Sequence, residues 1–324
     1  MRKKLGVVLQ PYITSRTSNA IQMSAIQALP CYCDAWLCNE FINLRYLTDD
    51  KNRCDFLQND FWFTNAKMFH RQSLLLDKET LEYDSFDVIK YIISSIRDGM
   101  YVTGDYNAFF IPDKLEYMIM NKRDTYLIYG YDLINECFYL LENTACGYAA
   151  HEVSFRDYCL SLSNRDDGMF NINTMQYNPQ YQFAFSVERF HRGLNDYLNS
   201  FDSEKLYNLN TPLYGLDCVR QLKDDVVSDY GRGQLFRDNS FLVLCEHKKL
   251  MTIRLKFLND HTDIHTTDLI KKAEDNYLLT QEILRYGTIL KQENNLSIYP
   301  LVVNSLKLLI EDEERLCQSI LLRV

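Results

Sequence analysis

Ten cysteines and six histidines carry most of the nucleophilic, basic and metal-binding capacity of this sequence. Cys31 and Cys33 follow Pro30 almost at once. A helix beginning there would set both thiols at its N-terminus, where the aligned peptide dipoles favour a thiolate and lower a thiol pKa. Three histidines are candidate bases: His70 follows an aromatic cluster, His151 opens a strand-like run after Gly147, and His247 sits inside an apolar stretch. Of these His151 is the best placed, and an imidazole in reach of a thiol would give the nucleophile of an acyl-transfer or hydrolytic reaction. Zinc is a poorer fit. Cys31-x-Cys33-x4-Cys38 has no distant partner in register, and His261-x3-His265 lacks a metalloprotease glutamate, so that pair is expected on a solvated helix N-terminus. The other cysteines lie mostly among apolar residues, as in Val243-Leu-Cys245, and are expected to be reduced, buried and small.

These groups need elements to hold them. Residues 17–48 are expected to be helical, capped by Thr17 or Ser18 and interrupted near Pro30, with Trp36, Phe41, Ile42 and Tyr46 on one apolar face. A second helix is expected over Ser85–Arg97, capped by Asp84 or Ser85, because Val88, Ile89, Ile92 and Ile93 form a stripe. Strand signals follow at Met100–Val102, Ala108–Ile111, Tyr126–Tyr131, Glu136–Leu141 and His151–Phe155. Tyr126-Leu-Ile-Tyr-Gly-Tyr-Asp132, a polar turn and Glu136-Cys-Phe-Tyr-Leu-Leu141 read as a hairpin, since aromatic and β-branched residues flank the turn. The polar run Asn164–Asn178 marks the expected boundary. Beyond it a strand is expected at Tyr181–Ser186, then helices at Val187–Asn199, Gly215–Val227, Ser240–Leu258, Thr267–Lys291 and Leu301–Leu322. The expected fold class is α+β, with an antiparallel sheet in an N-terminal domain, residues 1–165, and a mainly helical domain, residues 166–324.

A chain of 324 residues with 47% apolar and 24% charged residues can bury a sizeable core. A net charge of -9 and a pI near 5.2 speak against nucleic acid or anionic lipid as a partner. The basic start Met1-Arg-Lys-Lys leads into too short an apolar run for a signal peptide, and nowhere is there an apolar stretch of membrane-spanning length, so the expected location is cytoplasmic. No Gly-rich phosphate loop or dinucleotide fingerprint is present, and no cofactor is expected.

The hairpin 126–141, the phrase Tyr214-Gly-Leu and the run Ser240-Phe-Leu-Val-Leu-Cys-Glu-His-Lys-Lys-Leu-Met251 resemble proteins of the butirosin biosynthesis protein H type. The resemblance covers roughly residues 15–160 as a papain-like portion, with the last two phrases in the helical remainder. It implies a protein of natural-product or peptide biosynthesis. In active members a cysteine near the start of the first helix attacks an acyl thioester on a carrier protein, a histidine before the Ile-Tyr-Gly-Tyr-Asp-like strand deprotonates it, and an acid or amide on the next strand orients that histidine. The product would be an amide or a hydrolysed acyl group.

Carried onto this chain, the resemblance puts Asn143 at the orienting position and Asp124 or Thr125 where the histidine belongs. The nucleophile position falls on Ser18 or Asn19 if Thr14–Ala28 is the first helix, and on Cys31 or Cys33 if the catalytic helix starts after Pro30. Gln27 lies six residues before Cys33, a spacing similar to that of a papain oxyanion-hole glutamine and its nucleophile. His151 is the candidate replacement base. Two functions follow: a cysteine acyltransferase or hydrolase acting on a carrier-bound or peptide substrate, or a catalytically degenerate binding or scaffolding subunit of the same kind of pathway. A third reading, a helical interaction protein unrelated to papain-like folds, would require that no antiparallel sheet carry the hairpin against the first helix.

Overall fold

The structure, a computed structural model, describes residues 1–30, 32, 34–47, 54–57, 68–163, 169–182, 184–203, 213–232, 239–293 and 295–324. In chain order the strands are β1 (Arg2–Lys4), β2 (Leu44–Tyr46), β3 (Cys54–Phe56), β4 (Phe69–Asp77), β5 (Tyr101–Asn107), β6 (Arg123–Asp132), β7 (Cys137–Thr144), β8 (Gly147–Ser154), β9 (Met169–Tyr177) and β10 (Leu213–Tyr214). The helices are α1 (Thr17–Gln27), α2 (Lys78–Arg97), α3 (Phe155–Ser163), α4 (Val187–Leu198), α5 (Gly215–Gly231), α6 (Ser240–His261), α7 (Thr267–Glu293) and α8 (Tyr299–Leu321). Internal packing divides the chain into two compact units, one of Met1–Tyr32 and Trp62–Gln182, the other of Cys33–Phe61 and Phe183–Val324. The sequence division at residue 165 is linear, whereas here 33–61 groups with the helical unit and 166–182 with the sheet unit.

The first unit is an antiparallel sheet in the order β4-β9-β5-β6-β7-β8, with β1 added beside the far end of β6. Strand β6 is the organising element. Its first half pairs with β5 and its last three residues pair with β1, while β7 runs along its other edge. The changeover coincides with a register shift between Ile128 and Gly130. Glycine is required there, because a Cβ at 130 would lie 2.6 Å from the Lys3 carbonyl oxygen. The β6–β7 turn is fixed by Asp132, whose carboxylate accepts the backbone N–H of Ile134 at 2.9 Å.

Alternation along the strands gives the sheet two distinct faces. One carries Val102, Tyr106, Tyr126, Ile128, Phe138, Leu140 and Val153, packed on Val88, Ile92 and Ile96 of α2 and Tyr158 and Leu162 of α3. The other face receives α1, which packs on β6 and β7. An antiparallel sheet therefore does carry the hairpin against the first helix, so the first unit is α+β rather than purely helical.

The second unit is mainly helical. α6, α7 and α8 pack in succession, α4 and α5 lie against α8, and a small sheet in the order β10-β2-β3 completes it. Ser186 caps α4 by accepting the Arg189 N–H at 3.2 Å. α5 begins at Gly215 in a left-handed conformation (φ 54°), where a Cβ would approach the Tyr197 carbonyl oxygen to 2.1 Å. The glycine of the Tyr214-Gly-Leu phrase is thus a packing requirement.

Several expected elements differ. The helix expected over 17–48 stops at Gln27, and a 3-10 turn at Leu37–Asn39 and strand β2 follow. Its aromatic stripe is real as core but is not helical: Trp36, Phe41 and Tyr46 are buried in the second unit. No side chain caps α1, whose N-cap is Arg16. Ala108–Ile111, expected as a strand, holds a 3-10 turn, with Asn107 accepting the Phe109 N–H. The helix expected from Ser85 begins at Lys78. The described part of the expected boundary, Met169–Tyr177, is a strand inserted between β4 and β5, its polarity reflecting alternation on a sheet. Tyr181–Ser186 has no strand among its described residues. The aromatic cluster Phe61, Trp62 and Phe63, which precedes His70, lies outside the described residues.

Candidate functional site

Cys31 and Cys33 lie outside the described residues. Of the other candidates, Asn143, Thr125, Asp124 and His151 lie on the sheet of the first unit, on opposite faces, Gln27 lies on α1, and His247 belongs to the second unit. On β7, Asn143 faces α1, and its amide Nδ2 donates to Thr17 Oγ1 on the first turn of that helix at 2.7 Å. Tyr148, opposite Asn143 on β8, shares a hydroxyl–hydroxyl bond of 2.9 Å with Ser24 of α1. Thr125 lies on the same face and donates its hydroxyl to Asp105 at 2.7 Å, directly across the β5–β6 pair. Gln27 ends α1, where its side-chain oxygen accepts the Tyr12 N–H at 2.9 Å. Ten residues of helix separate Gln27 from Thr17, about 15 Å of rise, so Gln27 and Asn143 occupy opposite ends of α1.

His151 points the other way. It lies opposite Leu140, on the α2/α3 face, and its Nε2 bonds to Glu142. Asn143 is on the adjacent residue of β7 and so on the opposite face, which prevents it from orienting His151. Asp124, the alternative at the expected histidine position, also faces this side, opposite Tyr106.

Around Glu142 the structure assembles a polar cluster. The carboxylate is fully buried and takes the Lys114 ammonium at 2.7 Å, the Tyr106 hydroxyl and the His151 imidazole. Lys114 also donates to Asp124 at 2.8 Å and to the Asn143 carbonyl oxygen, so its three N–H groups each have an acceptor. Burial alone would lower the Lys114 pKa, but Glu142 and Asp124 outweigh it and hold the ammonium above the ordinary lysine value. Burial, then the Glu142 charge, raises the Tyr106 hydroxyl well above an ordinary tyrosine. The phenol stays a donor to the carboxylate. On the far side of His151, Nδ1 has no hydrogen-bond partner among the described residues and lies 3.6 Å from Asp113.

This cluster holds an imidazole hydrogen-bonded to a carboxylate, the arrangement of a proton-transfer pair. Glu142 was not among the sequence candidates, although its spacing of two from Phe138 and Leu140 puts it on their face and could have found it. Lys114, in a turn-rich stretch without periodicity, gave no signal.

The second unit has its own buried charges. His247 Nε2 bonds the Ile42 carbonyl oxygen at 2.7 Å, and Lys248 pairs with Glu313 at 2.8 Å while donating to Tyr197 at 2.8 Å and to His247 Nδ1 at 3.1 Å. Asn276 adds its amide to Glu313 at 3.0 Å. These bonds make the Glu246-His-Lys-Lys phrase an internal tie between α6, α8 and the 39–43 segment. His70 is exposed on β4, and His261 is the last residue of α6 rather than part of a helix N-terminus. Among the described residues no group of three or more His, Cys, Asp or Glu side chains is arranged to hold a metal, the eight described cysteines are all free, and no helix is long and apolar enough to cross a membrane.

Compared with the known families and the curated proteins, the chain matches no family model and no curated sequence.

Proposed function

We propose that this chain is a papain-like protein of the butirosin biosynthesis protein H type that has lost cysteine–histidine chemistry and serves natural-product or peptide biosynthesis as a binding subunit for a carrier-bound acyl group or a peptide. The observation that carries this reading is the bond from Asn143 to Thr17. An amide on the second hairpin strand reaches the first turn of α1 on the same sheet face as Thr125. In the resemblance those three places belong to the orienting residue, the nucleophile-bearing helix start and the base. Here they hold an amide and two hydroxyls, none of which forms a thiolate–imidazolium pair. The candidate replacement base, His151, is held by Glu142 on the other face.

The test uses an acyl N-acetylcysteamine thioester, which mimics the arm of an acylated carrier. Binding is followed by saturation-transfer NMR and turnover by release of free thiol, with and without an amine acceptor. The expected result is binding with no thiol release above the buffer rate, and slow iodoacetamide labelling of Cys31 and Cys33 near pH 6. Thiol release that Cys31→Ser or Cys33→Ser abolishes would establish the acyltransferase instead. Absence of binding would remove the binding role.

A further inference from the structure

The loop between the 3-10 turn at Ala108–Phe110 and β6 is built to present apolar side chains. Leu115, Tyr117, Met118, Ile119 and Met120 are between 42% and 76% exposed. Isolated exposed hydrophobes are ordinary, but five within six consecutive positions form a patch of the kind that marks a contact surface.

The loop is held firmly. Its ends close where Ala108 N–H donates to the Lys122 carbonyl oxygen at 2.8 Å, and Met118 N–H reaches back to the Phe109 carbonyl oxygen at 3.0 Å. The Asp113 carbonyl oxygen accepts the Ala145 N–H from the β7–β8 turn at 2.8 Å. Between them Lys114 is drawn into the Glu142 cluster, which takes its ammonium off the surface. Asp113 and Met118 both adopt left-handed backbone (φ 66° and 54°), a strained choice for residues other than glycine. A rigid frame with strained backbone that turns hydrophobes outward has the character of a pre-organised interface.

We infer that this loop is the contact surface of a homodimer in which the patch packs on its own copy about a two-fold axis. Two features choose this occupant. The first is charge. The rim carries Glu116 paired with Lys122, Asp105 paired with Arg123 by its Nε at 2.9 Å, and the exposed Asp113, so it has both signs with a slight acidic excess. Such a rim does not attract an acidic carrier, a nucleic acid or an anionic lipid headgroup. A two-fold axis sets the basic members of one rim against the acidic members of the other, which is self-complementary. The second is area. Five side chains exposed to this degree offer on the order of 500 Å² of apolar surface, so two copies bury about 1,000 Å², the lower bound for a specific interface. Methionine at the centre suits such a contact, being soft and enriched at interfaces.

The test is sedimentation velocity of the full chain from about 1 to 100 µM. The expected result is a species of twice 38.3 kDa at the upper end, with Ile119→Asp raising the dimer Kd at least about 100-fold and Ile134→Asp, an 81% exposed position on the β6–β7 turn, leaving it unchanged. As a check that needs no variant, peroxide oxidation of Met118 and Met120 should slow as the wild-type concentration rises through the transition. A monomer across the whole range overturns the inference, as does a dimer indifferent to Ile119→Asp with Met118 and Met120 oxidised at a constant rate. Flotation of a monomer with neutral phosphatidylcholine vesicles would overturn it in favour of a membrane contact.

Discussion

Acidification should weaken the helical unit through His247, by an amount that follows from its surroundings. The imidazole is completely buried, with Nε2 donating to the Ile42 carbonyl oxygen and Nδ1 receiving the Lys248 ammonium, so it is neutral with its proton on Nε2. Burial is the main cause that lowers its pKa well below the usual histidine value, and the charges of Lys248 and Arg254 add to it. In the unfolded chain the same residue titrates near 6.5. The folded state therefore binds fewer protons than the unfolded state over the interval beneath that value, and stability falls as pH falls. Above pH 6.5 the full stability is present. It declines as pH drops from 6.5 toward the depressed folded pKa. Between pH 7.5 and 5.5 the loss from this one residue is about 1.4 kcal/mol.

The assay is urea unfolding at both pH values, followed by the fluorescence of Trp36, which is 2% exposed in this unit, in a Trp62→Phe background. Other groups titrate as well, so the informative quantity is the difference between the wild type and His247→Gln. Glutamine keeps a donor for the Ile42 carbonyl oxygen and an acceptor for Lys248 without a titratable ring. The wild type should lose about 1.4 kcal/mol more than the variant over this interval. Equal losses would mean that His247 is protonated in the fold, and the neutral Nε2–H assignment and the account of the cluster built on it would be refuted.

Glu142→Gln should destabilise the sheet unit by about 3 kcal/mol in chemical denaturation, because Lys114 keeps its buried charge and loses its closest carboxylate. Asp124→Asn, on a side chain 17% exposed that supplies only one of three acceptors to Lys114, should cost about 1 kcal/mol. In the folded protein at pH 8, iodoacetamide should modify exposed Cys146 at least about tenfold faster than Cys137 or Cys159, whose thiols are pushed up to about 11 chiefly by burial, with Glu152 adding for Cys137; mass spectrometry of the labelled chain reads this directly. Gly130→Ala should cost about 2 kcal/mol or more and release β1, seen as faster hydrogen exchange at Arg2–Lys4, since the new methyl would meet the Lys3 carbonyl oxygen.

The legible parts of the fold are those whose pattern is local. Strand β6 announced itself through aromatic and β-branched residues on both faces, and the long helices of the second unit through their apolar stripes. The boundaries at Gln27 and Met169 were not legible, for one physical reason. Residues 28–48 continue an apolar, nearly helical spacing in the sequence, but the partners of Asn39 and Ile42 come from more than a hundred residues later, through bonds such as Asn39 to the Ala184 carbonyl oxygen at 2.9 Å and His247 to Ile42. Strand β9 looked like a linker because its neighbours β4 and β5 are themselves remote in sequence, and an inner strand reads as polar when Asn171 and Asn173 alternate with the buried Ile172 and Thr174.

For the candidate site the decisive information was parity. Asn143 and His151 looked like partners because both lie on adjacent strands of one hairpin. The register pairs His151 with Leu140, an even position of β7, and Asn143 is odd, so the two side chains leave the sheet in opposite directions. The same count joins His151 to Glu142 and, through Tyr106 and Asp124, to β5 and β6. It also puts Thr125 and Asn143 together on the α1 face. A one-residue difference therefore separates a buried charge cluster, which anchors the 113–122 loop through Lys114, from the hydroxyl- and amide-lined face on which the proposed binding role rests. Exchanging Thr125 for histidine is the substitution that would place an imidazole on the α1 face beside Asn143, whereas no change at His151 can do so while the β7–β8 register holds.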